Sequence, residues 1–185
     1  GKLTMTTTPS EIFDIKGGAG ADTFNLASLT KDDVLDAGAG DDTALITAHD
    51  AAGGALKMST MQFSNLENFS VEATTDKETS IDADGSSVSN FILVENDTTS
   101  EDAAITNLSA TQSVTINSNV DAQAVGGVTL GFKDPAGSAD SLTINVNGTS
   151  GQGAEAIEAI TTADIETINL VSGSVGATAM LAAAR

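Results

Sequence analysis

Residues 17–25 read Gly17-Gly18-Ala19-Gly20-Ala21-Asp22-Thr23-Phe24-Asn25 and decide the fold. They match the whole nonapeptide G-G-x-G-x-D-x-U-x, in which U is a large apolar residue. Residues 37–45, AGAGDDTAL, keep its second and third glycines and its aspartate, with Ala37 in place of the first glycine and Ala44 at U. Between these units, residues 28–36 retain only the D-x-U half, as Asp33-Val34-Leu35. The segment therefore holds one complete and two partial copies of a coil-forming repeat.

Each half of the repeat has its own structural role. The glycine half must turn sharply, in backbone conformations that glycine adopts most easily. The x-U-x half forms a short strand that sends one large side chain into a narrow core. Two units make one coil, so the first and third units stack one coil apart and bring Asp22 opposite Asp42. The alternatives are two unrelated Gly/Asp turns, or a Rossmann-type loop, which is excluded because no apolar strand leads into Gly17.

The stacked turns predict a calcium site. Carboxylate and carbonyl oxygens in a flexible cage suit Ca²⁺ better than Mg²⁺ or Zn²⁺. The predicted ligands are the carboxylates of Asp22 and Asp42 and the backbone carbonyls of Gly18, Gly20, Gly38 and Gly40. Weaker metal candidates are Asp33 and Asp36 in the degenerate unit, and Asp134 and Asp140, where residues 134–142 repeat the cadence G-x-x-D-x-U before a strand.

Beyond residue 50 the nonapeptide disappears, but short strand-like segments continue. They show period-2 alternation or β-branched residues between Gly, Asn, Asp and Ser. The predicted strands are residues 65–71, 91–94, 113–117, 128–132, 141–146 and 165–170. Asparagine recurs within or after them, which is expected if amides stack in ladders between equivalent turns: Asn117, Asn145, Asn147 and Asn169. Residues 154–160, AEAIEAI, instead predict about two turns of helix.

These features predict an all-β fold, a right-handed parallel β-roll or β-helix solenoid with short loops and at most one short helix. The alternative is a β-sandwich that follows a short β-roll. The predicted organisation is an N-terminal tail or linker over residues 1–11, a calcium-binding β-roll over 12–50, and an irregular parallel solenoid over 51–185 that continues the same domain.

The 185 residues carry 26 Asp and Glu against 7 Lys and Arg, a net charge of −19. Nucleic-acid binding is excluded because the chain has neither a basic patch nor an aromatic platform for bases. No run approaches the roughly 20 apolar residues of a membrane span. The absence of cysteine removes disulfides and thiolate metal sites. Such a composition is typical of bacterial secreted surface proteins, and we expect the segment to come from a longer protein.

Catalysis has little support in the sequence. His49 is the only histidine, and it lies in a loop-like stretch without the G-x-S-x-G elbow of a Ser-His-Asp triad. Carboxylate pairs for glycoside hydrolysis are numerous, but no Trp or Tyr is present to stack on a sugar ring. Asp82-Ala83-Asp84-Gly85 resembles the opening of a helix-loop-helix calcium loop but lacks its later ligands, which favours an ordinary acidic turn. We therefore expect a protein that is not an enzyme.

The units GGAGADTFN and AGAGDDTAL, with the phrases NLENFSV, SVTIN, SLTINV and DIETINL, resemble RTX-repeat-containing bacterial surface-layer (S-layer) proteins. The similarity is to the calcium-dependent surface layers of Gram-negative bacteria such as Caulobacter and Campylobacter. It implies type I secretion, folding on Ca²⁺ outside the cell, and self-assembly with neighbouring copies into a lattice on the cell surface. It also implies attachment to lipopolysaccharide through other parts of the full chain, without membrane insertion.

The expected function is thus a structural module of a secreted, calcium-dependent, self-assembling cell-surface protein. In this resemblance Asp22 and Asp42 take the role of the repeat aspartate ligands, and the four glycines take the role of carbonyl donors. The alternative is an RTX accessory module of a secreted adhesin or of a carbohydrate-active enzyme.

Overall fold

The computed structural model describes residues 1–8, 12–47, 54–73, 78–95, 102–118, 126–134, 140–148, 156–163, 165–172 and 178–184. Within these ranges the chain forms seventeen β-strands and one 3₁₀ turn, Met58–Thr60. The strands are β1 (Thr4–Thr6), β2 (Asp14–Lys16), β3 (Thr23–Leu26), β4 (Val34–Asp36), β5 (Thr43–Thr47), β6 (Leu56–Lys57), β7 (Gln62–Ser64), β8 (Asn68–Ala73), β9 (Thr79–Asp82), β10 (Asn90–Glu95), β11 (Ala103–Leu108), β12 (Ser113–Ser118), β13 (Val128–Phe132), β14 (Ser141–Gly148), β15 (Ala156–Ala163), β16 (Thr167–Ser172) and β17 (Thr178–Ala184). None of the described segments forms a helix with the length and apolar character needed to span a membrane.

Parallel pairing between successive coils defines the fold. The front sheet has eight strands in the order β1-β3-β5-β8-β10-β12-β14-β16. The back sheets are β2-β4-β7 and β6-β9-β11-β13-β15-β17. The chain alternates between front and back, except that β6 and β7 both lie between β5 and β8. The predicted all-β parallel solenoid is confirmed, because every strand pair among the described residues is parallel, whereas the alternative sandwich needs antiparallel pairs.

The narrow core predicted for the repeats continues well beyond them. One register column of the front sheet contains Phe24, Ala44, Phe69, Phe91, Val114 and Ile144, all fully buried. The Phe69 ring lies edge-on to Phe91, with ring centroids 6.4 Å apart. On its other side it contacts Phe63 of β7, with centroids 5.9 Å apart. Front and back sheets therefore share one core of aromatic and aliphatic side chains.

Polar side chains stack along the outer surface of the front sheet. Asn147 Nδ2 donates to Asn117 Oδ1 at 3.0 Å, and Asn145 Nδ2 donates to Thr115 Oγ1 at 3.4 Å. Asn169 Nδ2 donates to Ser141 Oγ at 3.1 Å. Asn147 and Asn117, and Asn145 and Thr115, lie at equivalent positions of successive coils, as the predicted ladder requires. Asn169 instead reaches Ser141 diagonally, because its register partner is Thr143.

The six strands predicted beyond residue 50 are confirmed as β8, β10, β12, β13, β14 and β16. The helix predicted over residues 154–160 is wrong, because Ala156–Ala163 form β15, which pairs in parallel with β13 and β17. Helix propensity is a weak preference that tertiary contacts override. Here two neighbouring strands supply backbone partners, and Ile160 is fully buried. Residues 154 and 155, like His49, lie outside the described residues.

The first strand lies within the segment predicted to be a tail or linker. Thr4–Thr6 form β1, which pairs with β3 and extends the front sheet before the first repeat. Thr23 N–H also donates to the Leu3 carbonyl at 2.8 Å. The front sheet runs through all three predicted ranges, 1–11, 12–50 and 51–185, and the division at these boundaries stays a prediction.

Candidate metal centre

The glycine-rich turns of the first and third repeat units stack directly on one another. Ala39 N–H donates to the Gly18 carbonyl at 2.9 Å, and Ala19 and Ala39 form a parallel bridge. Gly38 has φ +100°, and a Cβ built on it would lie 2.2 Å from the Gly18 oxygen. Only glycine tolerates both this backbone conformation and this approach. The sequence therefore places the two turns in contact, as the repeat pattern predicts.

Asp22 lies at the end of the first turn, immediately before β3, and is 1% exposed. Its Oδ2 accepts the Gly18 N–H at 2.9 Å, and its Oδ1 accepts the Leu3 N–H at 2.6 Å. These backbone donors, Gly18 first, hold the pKa of Asp22 below its ordinary value of 3.8 because they favour the ionised form. Asp22 is thus an ionised carboxylate whose two oxygens both accept backbone N–H groups.

Asp42 occupies the equivalent place before β5 and is completely buried. Its Oδ1 accepts the Asp22 N–H at 2.7 Å. Its Oδ2 is also buried but has no hydrogen-bond partner among the described residues. The two predicted ligands are therefore neighbours, and one carboxylate oxygen of the pair is left unsatisfied inside the protein.

Glu67 continues the same arrangement where the nonapeptide is no longer recognisable. The Asp42 N–H donates to Glu67 Oε2 at 2.9 Å, and Glu67 immediately precedes β8. Asp22, Asp42 and Glu67 thus form a carboxylate column, in which each side chain accepts the backbone N–H of the equivalent residue one coil earlier. Sequence reasoning missed Glu67 as a member. The predicted strand began at residue 65, so the sequence did not reveal that Glu67 lies one residue before a strand, the place that Asp22 and Asp42 share.

The same contact recurs elsewhere in the solenoid. On the back side, Asp33 Oδ1 accepts the Phe13 N–H at 3.1 Å, while its Oδ2 accepts from Thr30 N at 2.7 Å and from Thr30 Oγ1 at 3.1 Å. Near the C-terminal end, Glu166 Oε2 accepts the Asp140 N–H at 2.9 Å. Asp33, a weaker metal candidate in the sequence, is fully buried with both carboxylate oxygens hydrogen-bonded. Its contacts support a role in joining coils.

Asp36 is held by a lysine and an amide on the back surface. Lys16 Nζ lies 3.2 Å from Asp36 Oδ2, and Asn65 Nδ2 donates to Asp36 Oδ1 at 2.8 Å. Asn65, Lys16 and the Gly38 N–H lower the pKa of this carboxylate, with the asparagine contributing most. The charge of Asp36 is therefore already balanced by protein groups.

The remaining weak candidates, Asp134 and Asp140, line one open cleft of about 640 Å³ together with Leu108, Phe132 and Lys133. Asp140 Oδ2 is buried and has no hydrogen-bond partner within the ranges that the structure describes, whereas Asp134 is exposed. The two predicted ligands therefore line one cleft, which also contains the positively charged side chain of Lys133.

In the acidic turn at residues 82–85, protein groups already contact the two carboxylates. Asp82 Oδ1 accepts from Asn107 Nδ2 at 2.8 Å and from the Asp84 N–H at 3.2 Å. Lys133 Nζ forms an ion pair with Asp84 Oδ1. Asn107 is the main cause that lowers the pKa of Asp82. These contacts support the interpretation of this segment as an ordinary acidic turn.

The chemistry of the carboxylate column fits a hard cation in part. The donors are all oxygens, as Ca²⁺ prefers. Across the described ranges, however, no group of three or more His, Asp or Glu side chains is placed to hold a metal ion. In this structure backbone N–H groups occupy most of the carboxylate oxygens, and Asp42 Oδ2 is the oxygen of the predicted pair that stays open.

Comparison with known proteins adds no relative: no family description, no curated protein and no solved structure matches this chain.

Proposed function

We propose that this chain is a structural module of a secreted, calcium-dependent cell-surface protein that self-assembles, and that it is not an enzyme. The observation that supports calcium dependence most directly is the buried Oδ2 of Asp42, which has no hydrogen-bond partner in the described part of the chain. It lies on the predicted ligand pair, in the stacked turns of the repeat.

An unsatisfied buried oxygen destabilises the metal-free fold. Leaving a buried acceptor without a partner costs about 1–3 kcal/mol, and more when the group is charged. A bound cation would remove that cost and would offset part of the repulsion in a chain of net charge −19. Because the turns stack only in the folded chain, binding energy would add to folding energy.

The residues that would hold the ion are those of the two stacked turns. Asp42 would supply the open carboxylate oxygen, and Asp22 would supply a second carboxylate one coil earlier. The remaining candidates are the carbonyls of Gly20, Gly38 and Gly40, together with the Gly18 carbonyl, which already accepts the Ala39 N–H. Bound Ca²⁺ would supply positive charge and coordination, and the chain itself supplies the stacked backbone that orders these oxygens.

The structural role is supported by the polar side chains that form hydrogen bonds between neighbouring coils. Amide and carboxylate side chains form hydrogen bonds to the neighbouring coil: the Asn147 amide donates to the Asn117 side chain, and the Asp42 carboxylate accepts the Asp22 backbone N–H. This pattern stiffens a rod of stacked coils. Location on the bacterial cell surface and a lattice of neighbouring copies are part of the same proposal, on the strength of the repeat resemblance.

The test is the Ca²⁺ dependence of thermal unfolding in matched variants. Asp42→Asn keeps an oxygen for the Asp22 N–H but removes the charge that a cation needs. Asp32→Asn removes the same charge from an exposed residue that pairs only locally with Lys31 at 2.7 Å. We expect Ca²⁺ to raise the Tm of the wild type and of Asp32→Asn, and chelator to lower it again. The Tm of Asp42→Asn should not respond.

Two results would contradict the calcium part of the proposal. One is a wild-type melt that does not change in excess chelator. The other is a Tm response to Ca²⁺ that survives in Asp42→Asn. Turnover of a polysaccharide by the chain would contradict the structural role and favour the accessory module of an enzyme.

A further inference from the structure

The front sheet carries a face that has almost no charge. Its strands direct two register columns of side chains outward, which together are called the front face. The first column is Thr4, Thr23, Thr43, Asn68, Asn90, Ser113, Thr143 and Asn169, and the second is Thr6, Asn25, Leu45, Ser70, Ile92, Thr115, Asn145 and Val171. None of these residues is ionisable. Glu72, one column further along β8, is the nearest acidic strand residue.

This neutrality contrasts with the rest of the molecule. The chain as a whole has a net charge of −19. Strands of the back sheets place charged side chains on the outer surface at Asp14, Lys16, Asp36, Lys57 and Asp82. An acidic chain that needs only solubility has no reason to keep one large face uncharged, since exposed charge is what prevents association.

The polar groups of the front face are largely satisfied by one another. Asn90 Oδ1 accepts from Ser113 Oγ at 2.9 Å and from Thr115 Oγ1 at 3.0 Å, and Asn90 Nδ2 donates to Asn68 Oδ1 at 3.3 Å. Asn145 Nδ2 continues the ladder to Thr115. Groups bonded in this way cost less to remove from water than free ones. They also leave fewer donors and acceptors free to recognise a sugar.

Aliphatic side chains lie among these ladders. Leu45 and Ile92 are half-buried within the second column, and Val171 is 49% exposed. The smaller Ser70 and Thr115 beside them in this column are buried, at 5% and 9% exposed, so the larger side chains form most of its surface. The eight strands, at about 4.8 Å spacing, span about 35 Å, and the two outward columns, each taking two residues of 3.3 Å, span about 13 Å. That projected area of roughly 450 Å² is more than half of the roughly 800 Å² of accessible surface that a stable interface buries on each partner.

We propose that the front face is a contact surface for the front face of a second copy of this chain. Two such faces bring no like charges together, bury their aliphatic side chains, and need few new hydrogen bonds. Uncharged sheets with stacked amides pack in this dry, face-to-face manner. The inference deepens the proposed function, because it assigns the self-assembly to a surface, but it does not depend on calcium binding at Asp42.

The test uses sedimentation velocity of the chain, in Ca²⁺ and in chelator. Ile92→Glu places a carboxylate near the centre of the front face, and Ile92→Thr changes the same side chain without adding charge. Thr129→Glu adds the same charge to an exposed position of β13 on the back surface. We expect the wild type, Ile92→Thr and Thr129→Glu to self-associate, and Ile92→Glu to associate at least about tenfold more weakly because like charges then meet.

A second measurement locates the contact. The chain has no cysteine, so a single cysteine can be introduced and labelled with pyrene. Thr143→Cys on the front face should give excimer fluorescence on association, and Thr129→Cys should not. Unchanged melting temperatures of the variants would show that they fold.

The proposal is overturned if the wild type stays monomeric, or if Ile92→Glu and Thr129→Glu weaken association equally, which would point to the open ends of the solenoid. It is also overturned if Ile92→Glu abolishes binding to a polysaccharide while no self-association occurs. Loss of the Tm response to Ca²⁺ with association intact would remove the calcium site alone and leave this surface in place.

Discussion

The backbone N–H of Asp42 donates to Glu67 Oε2 at 2.9 Å, which joins the last recognisable repeat unit to the first coil that lacks one. In the same way, the Asp42 carboxylate accepts the Asp22 N–H, and the Asp22 carboxylate accepts the Leu3 N–H. An acidic residue one position before a strand therefore serves as the join between coils, with or without the glycine-rich turn. Ca²⁺ and backbone amides would compete for the same carboxylates.

Glu67→Ala is expected to destabilise the fold by about 1–3 kcal/mol, because it leaves the N–H of buried Asp42 without its acceptor. Glu67→Gln keeps an oxygen at the same distance along the side chain and should lose less than half of that. Urea unfolding measures both. Equal losses in the two variants would show that charge matters here and that the hydrogen bond does not.

Gly38→Ala tests the stacking of the two turns against a matched glycine. Gly38 has φ +100° and Gly54 has φ +93°, but a Cβ on Gly38 meets the Gly18 oxygen at 2.2 Å while a Cβ on Gly54 meets nothing within 4 Å. Gly54→Ala should cost about 1–2 kcal/mol from backbone strain alone. Gly38→Ala should cost at least about 2 kcal/mol more, because the turns must separate. Similar unfolding free energies for the two variants would mean that the turns are not in contact.

Asp33→Ala should destabilise the chain by about 3 kcal/mol or more, since it removes the acceptor of Phe13 N–H, Thr30 N–H and Thr30 Oγ1 together. The loss should be the same in Ca²⁺ and in chelator, because protein groups bond both carboxylate oxygens. A loss seen only in the presence of Ca²⁺ would instead make Asp33 a ligand. Paired urea titrations in the two buffers decide between them.

Stability should fall as the pH drops below the ordinary range of aspartate, and Asp82 should contribute to this fall. Asn107 lowers the pKa of Asp82 in the folded chain. A lowered folded pKa gives stability that is complete above the unfolded value of about 3.9 and is lost as the pH falls through the folded value. Asp82→Asn should therefore flatten the dependence of unfolding free energy on pH in this acid range. Asn107→Gly, which keeps the positive φ of 58° accessible, should flatten it too. A slope unchanged in both variants would contradict this assignment.

The parallel coil was predictable because the nonapeptide specifies both of its parts. The glycines at 17, 18 and 20 allow the stacked turn, and Phe24 marks the inward position of the strand. Beyond the repeats, alternation was enough for the strands of the front sheet, most clearly in β12 and β14, where outward Ser, Thr and Asn alternate with inward Val, Ile or Leu.

The strands that the sequence did not predict, or predicted as helix, lie mainly in the back sheets. β15 contains Ala and Glu, whose local preference for helix is visible in the sequence, whereas its partners β13 and β17 are distant in the chain. β9 (TSID) has only four residues, and β11 (AAITNL) has no regular alternation of polar and apolar residues, so the sequence pattern does not mark them. Glu67 and Glu166 were missed for a related reason: their function in joining coils depends on register with a residue about 25 positions earlier.

Each strand of the front sheet pairs only with the coils directly before and after it. The stability of such a molecule is approximately the sum of the contributions of single coils and of the contacts between neighbouring coils. Pulling on the ends of the rod should therefore extend it in a series of small steps, one coil at a time, with a sawtooth of low forces. In the self-assembled cell-surface protein proposed above, such rods would absorb mechanical load by partial, reversible lengthening and would lose only the coils under tension.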